Sequence, residues 1–265
     1  MTLELKRLGV AYADVPVVRA LDVVLPHGGQ VVALVGANGA GKSSTLRGIA
    51  GLCTASGQVW LDGENLQNLR PAQRTQRVAY MPQSLPQASG LTVYETVLGS
   101  LRIACPHWGR ERVQQRIEQV LADLGLAPLA LRALGTLSGG QRQMAGLAQL
   151  LARSPRLLLL DEPTSALDLR WQLQLLQALR AHVQSHNTLC VMAMHDLNLA
   201  ARFCDHMLLM SQGGLLAAGP PRVVLTPALL QQAFGVQARV EHCSRGTPMV
   251  LVDSVPCAAD TAGFN

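Results

Sequence analysis

The chain has 265 residues, 49% of them hydrophobic, enough for a substantial core in one large domain or two small ones. Its net charge of +5 rests almost wholly on arginine and contains no block of lysines or arginines, so nothing marks it as a nucleic-acid binder. No apolar run approaches the ~20 residues a bilayer span requires, the start MTLELKRLGV lacks the apolar stretch of a secretory signal, and the six cysteines include no C-x-x-C pair or zinc spacing.

Several of those cysteines lie in apolar runs such as TLCVMAMH, the setting of reduced, buried thiols in a cytosolic chain. In chain order, LELKRLGVAYADVPVVRALDVVLPHGG and SGQVWLDGENL read as short antiparallel strands. Between them, QVVALVGANGAGKSSTLRGIAGL opens with a β-branched run, turns through glycines and continues at helical period: strand, loop, helix. From about residue 91 to 152 the pattern is helical, which predicts an all-helical insertion. Arg156 to Pro163 (RLLLLDEP) is continuously apolar, as a strand buried on both sheet faces should be. The helical pattern LRWQLQLLQALRAHV follows, and Thr188 to Asp196 and the run HMLLMSQGG are further strand candidates. That alternation predicts an α/β fold with a mainly parallel sheet. The tail VEHCSRGTPMVLVD suggests two small strands, and the end beyond Pro256 is expected to be loose.

Three stretches carry chemistry. The first is Gly36-Ala37-Asn38-Gly39-Ala40-Gly41-Lys42-Ser43-Ser44, which has the spacing of a phosphate-binding loop and holds one of only two lysines in the chain. Glycines leave the backbone N–H groups bare to wrap a phosphate, the following helix adds its positive N-terminal end, Lys42 would reach the outer phosphates and Ser43 would ligate Mg²⁺. The second is LLLLDEPTSALD. Asp161 and Glu162 end the buried strand, where Asp161 would hold magnesium through water and Glu162 would polarise the attacking water. The third is LSGGQ, in which Ser138 N-caps a helix and Gly139, Gly140 and Gln141 complete a second anion site. Two phosphate-binding surfaces on one chain can serve one nucleotide only if they come from different copies.

These stretches, with Gln83 in AYMPQS and His195 in AMHD, make the chain resemble the ATP-binding subunits of ABC transporters over essentially its whole length. The resemblance implies a P-loop NTPase (RecA-like) core, an antiparallel β-subdomain and the helical insertion, together an ATPase domain over residues 1–240 followed by a short extension, 241–265. It implies that Tyr12 stacks on adenine, Gln83 senses magnesium and the permease, His195 braces the γ-phosphate and Asp168 lies at a dimer interface. From the residues alone, Tyr12 also reads as a half-buried strand aromatic, Gln83 as a turn residue and His195 as structural; Trp171, Met192 and Met194 read as packing. The implied engine is a head-to-tail dimer that closes on ATP and Mg²⁺.

Three classes fit the motifs: a transport ATPase, a soluble ABC ATPase acting on nucleic acid or ribosomes, and a regulatory subunit. The chain shows no long heptads and no tandem nucleotide domain, and Lys42, Glu162 and His195 are intact, which favours transport. The region after His195 resembles importer ATPases for ferric siderophores, haem and cobalamin; other cargo, such as branched-chain amino acids, is the alternative. Such an ATPase sits peripherally on the cytoplasmic face of the inner membrane, paired with integral-membrane permease subunits and, through them, a periplasmic substrate-binding protein, with no nucleic-acid partner. His107–Trp108 reads either as a permease contact or as a loop without a partner.

Overall fold

A computed structural model of the chain describes residues 2–25, 28–84 and 90–255. Strands β1 (Leu3–Tyr12) and β2 (Val15–Leu25) pair antiparallel around Ala13 and Asp14. Both turn residues take positive φ, 45° and 66°, the conformation whose twist suits a two-residue hairpin. Strand β3 (Gln30–Gly36) runs into the glycine loop and then α1 (Lys42–Ala50). Strands β4 (Ala55–Leu61) and β5 (Glu64–Asn65) complete a four-stranded antiparallel sheet in the order β2-β1-β4-β5. Short α2 (Pro71–Arg77) leads to β6 (Val78–Met81).

The expected helical stretch contains α3 (Val93–Ala104), α4 (Arg110–Asp123) and α5 (Gly139–Ala152). A capping box starts α3: Thr92 accepts from the Glu95 N–H while Glu95 accepts from the Thr92 N–H. Within this stretch Trp108 packs on the core with Arg112 stacked over its ring at 4.1 Å, while His107 is exposed. The chain then alternates β7 (Leu157–Asp161), α6 (Leu169–His186), β8 (Leu189–Ala193), α7 (Leu197–Phe203) and β9 (His206–Ser211). Strand β10 (Gly214–Gly219) turns back on β9, and α8 (Pro221–Val224) and α9 (Pro227–Phe234) follow. A hairpin of β11 (Gln237–His242) and β12 (Pro248–Ser254) spans the boundary expected at residue 240 and carries Ala238 and Val250 into the core. The expectation for the end beyond Pro256 lies outside the described residues.

The larger sheet has the order β10-β9-β3-β8-β7-β6, parallel except for β10. Its two faces follow the period-2 alternation of its strands. Val31, Ala33, Leu158, Leu160, Cys190 and Met192 face the helical side. Val32, Leu34, Leu157, Leu159, Val191 and Leu208 face α1 and the antiparallel sheet. Leu157 to Leu160 are each 0% exposed, which explains why β7 reads as an unbroken apolar run. This order places the carboxyl ends of β3, β8, β7 and β6 side by side, the edge where open parallel sheets bind ligands.

Candidate nucleotide site

The glycine loop leaves β3 at Gly36 and enters α1 through Gly41, whose φ of 96° is left-handed. A Cβ at Gly36 would lie 2.4 Å from the Met210 carbonyl oxygen and one at Gly41 would lie 3.0 Å from that of Val17, so packing as well as φ demands glycine there. At Gly39 a Cβ would meet nothing, so that glycine faces open space. No side chain caps α1, whereas Thr92, Ser138, Asp168, Asp196 and Thr226 cap other helices. The first N–H groups of α1 have no carbonyl within the helix to serve, and they remain available to an anion. Lys42 is 5% exposed, and its Nζ donates to the Gly36 and Ala37 carbonyls at 2.8 and 3.1 Å. Burial pulls its ammonium below the ordinary value, against the attraction of the Glu162 and Asp161 carboxylates. A buried cation resting on two neutral carbonyls suits a polyphosphate. Asn38 is exposed, Ala40 buried and Ser44 half-buried on the same loop and first helical turn.

Ser43 Oγ donates to Asp161 Oδ1 at 2.8 Å, joining the start of α1 to the end of β7. Asp161 is 1% exposed. Among the described residues no cluster of three or more His, Cys, Asp or Glu could hold a metal by itself. One hydroxyl and one carboxylate fit Mg²⁺, which prefers one or two protein oxygens plus substrate phosphates.

Glu162 follows with a left-handed φ of 50°, a conformation rare for a residue with a side chain. Its N–H donates to the Ala193 carbonyl at 3.2 Å, and the Ser165 hydroxyl donates to its own carbonyl at 3.1 Å. The carboxylate accepts from Gln83 Nε2 at 2.7 Å on Oε2 and bonds His195 Nε2 on Oε1. Gln83, beyond β6, and His195, beyond β8, thus converge on Glu162 between them. Gln83 makes its described bond to Glu162, and not to the Ser43–Asp161 pair.

Residues 21–165 match the ABC transporter family. The chain belongs to the ABC transporter ATP-binding family. It is 42% identical over 84% of its length to the hemin import ATP-binding protein HmuV of Pseudomonas entomophila (strain L48), covering 89% of that protein. It is 36% identical to the iron(3+)-hydroxamate import ATP-binding protein FhuC of Bacillus subtilis (strain 168), with 90% of each chain covered. The ferric enterobactin transport ATP-binding protein FepC of Escherichia coli (strain K12) is 33% identical, over 93% of this chain and 92% of that one. Among solved structures, a protein described as a metal-chelate type ABC transporter in an inward-facing conformation superposes with a TM-score of 0.80 at 27% identity, over 95% and 96% of the two chains. This ABC subunit is an ATPase whose hydrolysis is coupled to transport, built on the expected P-loop NTPase core. Among its described residues no helix is long and apolar enough to cross a membrane.

The ABC subunit keeps its serine turn separate from the glycine loop: among the described residues no hydrogen bond or ion pair joins the two. Ser138 accepts from the Gln141 N–H at 3.3 Å and Gln141 Oε1 accepts from the Ser138 N–H at 3.0 Å, a reciprocal cap that opens α5. Gly139 faces open space, but a Cβ at Gly140 would lie 2.4 Å from the Trp171 ring. Asp168 caps α6 by accepting from the Trp171 N–H at 2.9 Å. Tyr12, at the end of β1, is 42% exposed, and its hydroxyl lies beside Arg47.

Trp171, read as packing, does pack, against the core and beneath Gly140. Sequence reasoning missed two residues of this ABC subunit: Tyr80 reaches Asp161, and Arg47 reaches Tyr80. The one local signal for Tyr80 is its place three residues before Gln83; that its strand β6 lies beside β7 is set by the fold. Burial holds its phenol above the ordinary value, so it keeps its proton.

Proposed function

We propose that this subunit hydrolyses ATP to drive uptake of a chelated metal (a ferric siderophore, haem or cobalamin) through an integral-membrane permease. The observation that carries the catalytic part is Glu162, aimed by Gln83 and His195 beside the Ser43–Asp161 pair. Lys42 and the loop N–H groups bind the phosphates. Ser43 and Asp161 would hold Mg²⁺, which would neutralise phosphate charge, and Gln83, bonded to Glu162, would complete the metal site. Glu162 takes the proton of the water that attacks the γ-phosphorus as its bond to ADP breaks, and His195, bonded to Glu162, holds that carboxylate and braces the γ-phosphate. Tyr12 stacks on the adenine.

The serine turn, Ser138 to Gln141, and Asp168 complete the site of a second copy, so two subunits face head to tail. Gly139 is bare where nothing among the described residues requires it. The pair sits on the cytoplasmic face of the inner membrane, and a periplasmic binding protein delivers the cargo. The cargo class rests on relatives of 33–42% identity named for hemin, hydroxamate and enterobactin iron transport.

The test is reconstitution with the cognate permease and binding protein in lipid vesicles, scoring which ligand stimulates ATP hydrolysis. An iron chelate, haem or cobalamin should stimulate it, and Glu162→Gln should keep ATP binding while lowering turnover about 10²–10⁴-fold. Stimulation by a branched-chain amino acid alone, or near-normal turnover of Glu162→Gln, would overturn the reading.

A further inference from the structure

Asp161 is buried, yet among the described residues it has no ion pair. Its bonds are to two hydroxyls, Ser43 Oγ on Oδ1 at 2.8 Å and Tyr80 OH on Oδ2 at 3.1 Å. Arg47 Nε in turn donates to the Tyr80 oxygen at 3.4 Å. That bond occupies a lone pair of the phenol, so the phenol's own proton goes to Asp161. The chain of donors is therefore directional: guanidinium to phenol, phenol to carboxylate. Three elements meet in it, since Arg47 lies on α1 one turn beyond Ser43, and Tyr80 lies on β6 in register with Leu159 of β7.

The identity of the donor matters. A guanidinium bonded directly to Asp161 would fix the carboxylate equally well, but it would cancel the charge and compete with any cation. A phenol fixes one oxygen and leaves the negative charge in place. The Arg47 charge is held one bond further out, where it orients the phenol without pairing with the carboxylate.

We propose that Tyr80 is a positioning residue for the divalent cation that accompanies ATP: it clamps Oδ2 of Asp161 and so presents Oδ1, with Ser43, in one fixed plane. The inference rests on the reading of Ser43 and Asp161 as the residues that hold Mg²⁺. A partner of a ligating carboxylate that sets its plane commonly contributes 10–100-fold to metal affinity.

The experiment titrates Mg²⁺ against ATP binding, measured by calorimetry on the full chain, with a parallel measurement in EDTA. For Tyr80→Phe, which removes one oxygen and keeps the ring, the Mg²⁺ concentration that gives half of the metal-dependent tightening should rise about tenfold. ATP affinity in EDTA should stay at the wild-type value. Arg47→Met, which leaves the phenol but removes its orienting donor, should shift the same midpoint in the same direction by less. A wild-type Mg²⁺ midpoint in Tyr80→Phe, with Asp161→Asn having lost the metal effect, would overturn the role of Tyr80 and leave the Asp161 reading standing. Unchanged metal dependence in Asp161→Asn as well would remove that reading and the inference together. An equal loss of affinity with and without Mg²⁺ in Tyr80→Phe would mark a merely structural side chain and also overturn the inference.

Discussion

Gly140 shows how one residue answers to two forces of opposite sign. In the first turn of a helix, alanine in place of glycine gains at most about 1 kcal/mol from backbone entropy. Here the added methyl would sit 2.4–2.6 Å from three atoms of the Trp171 indole, a rigid ring packed against the core. Overpacking of that kind typically costs about 1–3 kcal/mol, so the steric term wins. Gly140→Ala should therefore lower the thermal midpoint by about 2–4 °C per kcal/mol lost. In a Trp171→Leu background the same change should become neutral or stabilising. A raised midpoint in the otherwise native chain would contradict this packing. Gly139, next to it, meets nothing among the described residues, so the two adjacent glycines are small for different reasons.

At the level of elements, the alternating apolar runs and the glycine loop were legible because they depend on local pattern alone. The expected strands at Arg156–Pro163 and Thr188–Asp196 correspond to β7 and β8, trimmed to Leu157–Asp161 and Leu189–Ala193. What was not legible depends on strand order. Nothing local in the sequence says that β8 lies between β3 and β7, which brings His195 to Glu162, or that β6 lies beside β7, which brings Gln83 to Glu162 and Tyr80 to Asp161. Helix α6 holds another hidden feature. His182 is 8% exposed, its Nε2 has no partner among the described residues, and its ring stacks on His186 at 4.0 Å. Burial, reinforced by His186 and Arg116, lowers its pKa from 6.5 to about 3. The folded state thus keeps this imidazole neutral while the unfolded chain takes up the proton. Stability is complete above about pH 6.5 and falls as pH drops from there toward 3. Urea midpoints across that window should decline less steeply for His182→Leu than for the native chain, and parallel declines would refute the assignment.

On the proposed reading the molecule has two anion-binding surfaces, the glycine loop and the serine turn, and among the described residues no hydrogen bond or ion pair joins them, which is what makes a dimer the expected unit of function. Cysteines introduced at Gly39 and Ser138 offer a direct check. The space at Gly39 is open, although its φ of 79° is left-handed, and Ser138→Cys gives up a cap worth about 1 kcal/mol. Cys53 and Cys243, both partly exposed, are replaced first together with Cys257; Cys105, Cys190 and Cys204 are buried. Mixing the two chains, each with one introduced cysteine, in the Glu162→Gln background should give a covalent dimer that depends on ATP. A bridge that forms equally without nucleotide, or none at all, would sink the head-to-tail arrangement. The segment from Glu162 to Trp171 adds a mechanical corollary. Gln143 of α5 donates to the Pro163 carbonyl, Gln172 of α6 donates to the Thr164 carbonyl, and Gly140 rests on Trp171. If two copies pair head to tail as proposed, the glutamate a copy keeps for its own ATP is tied by these contacts to the turn it lends its mate, so closing one pocket would pull on the other.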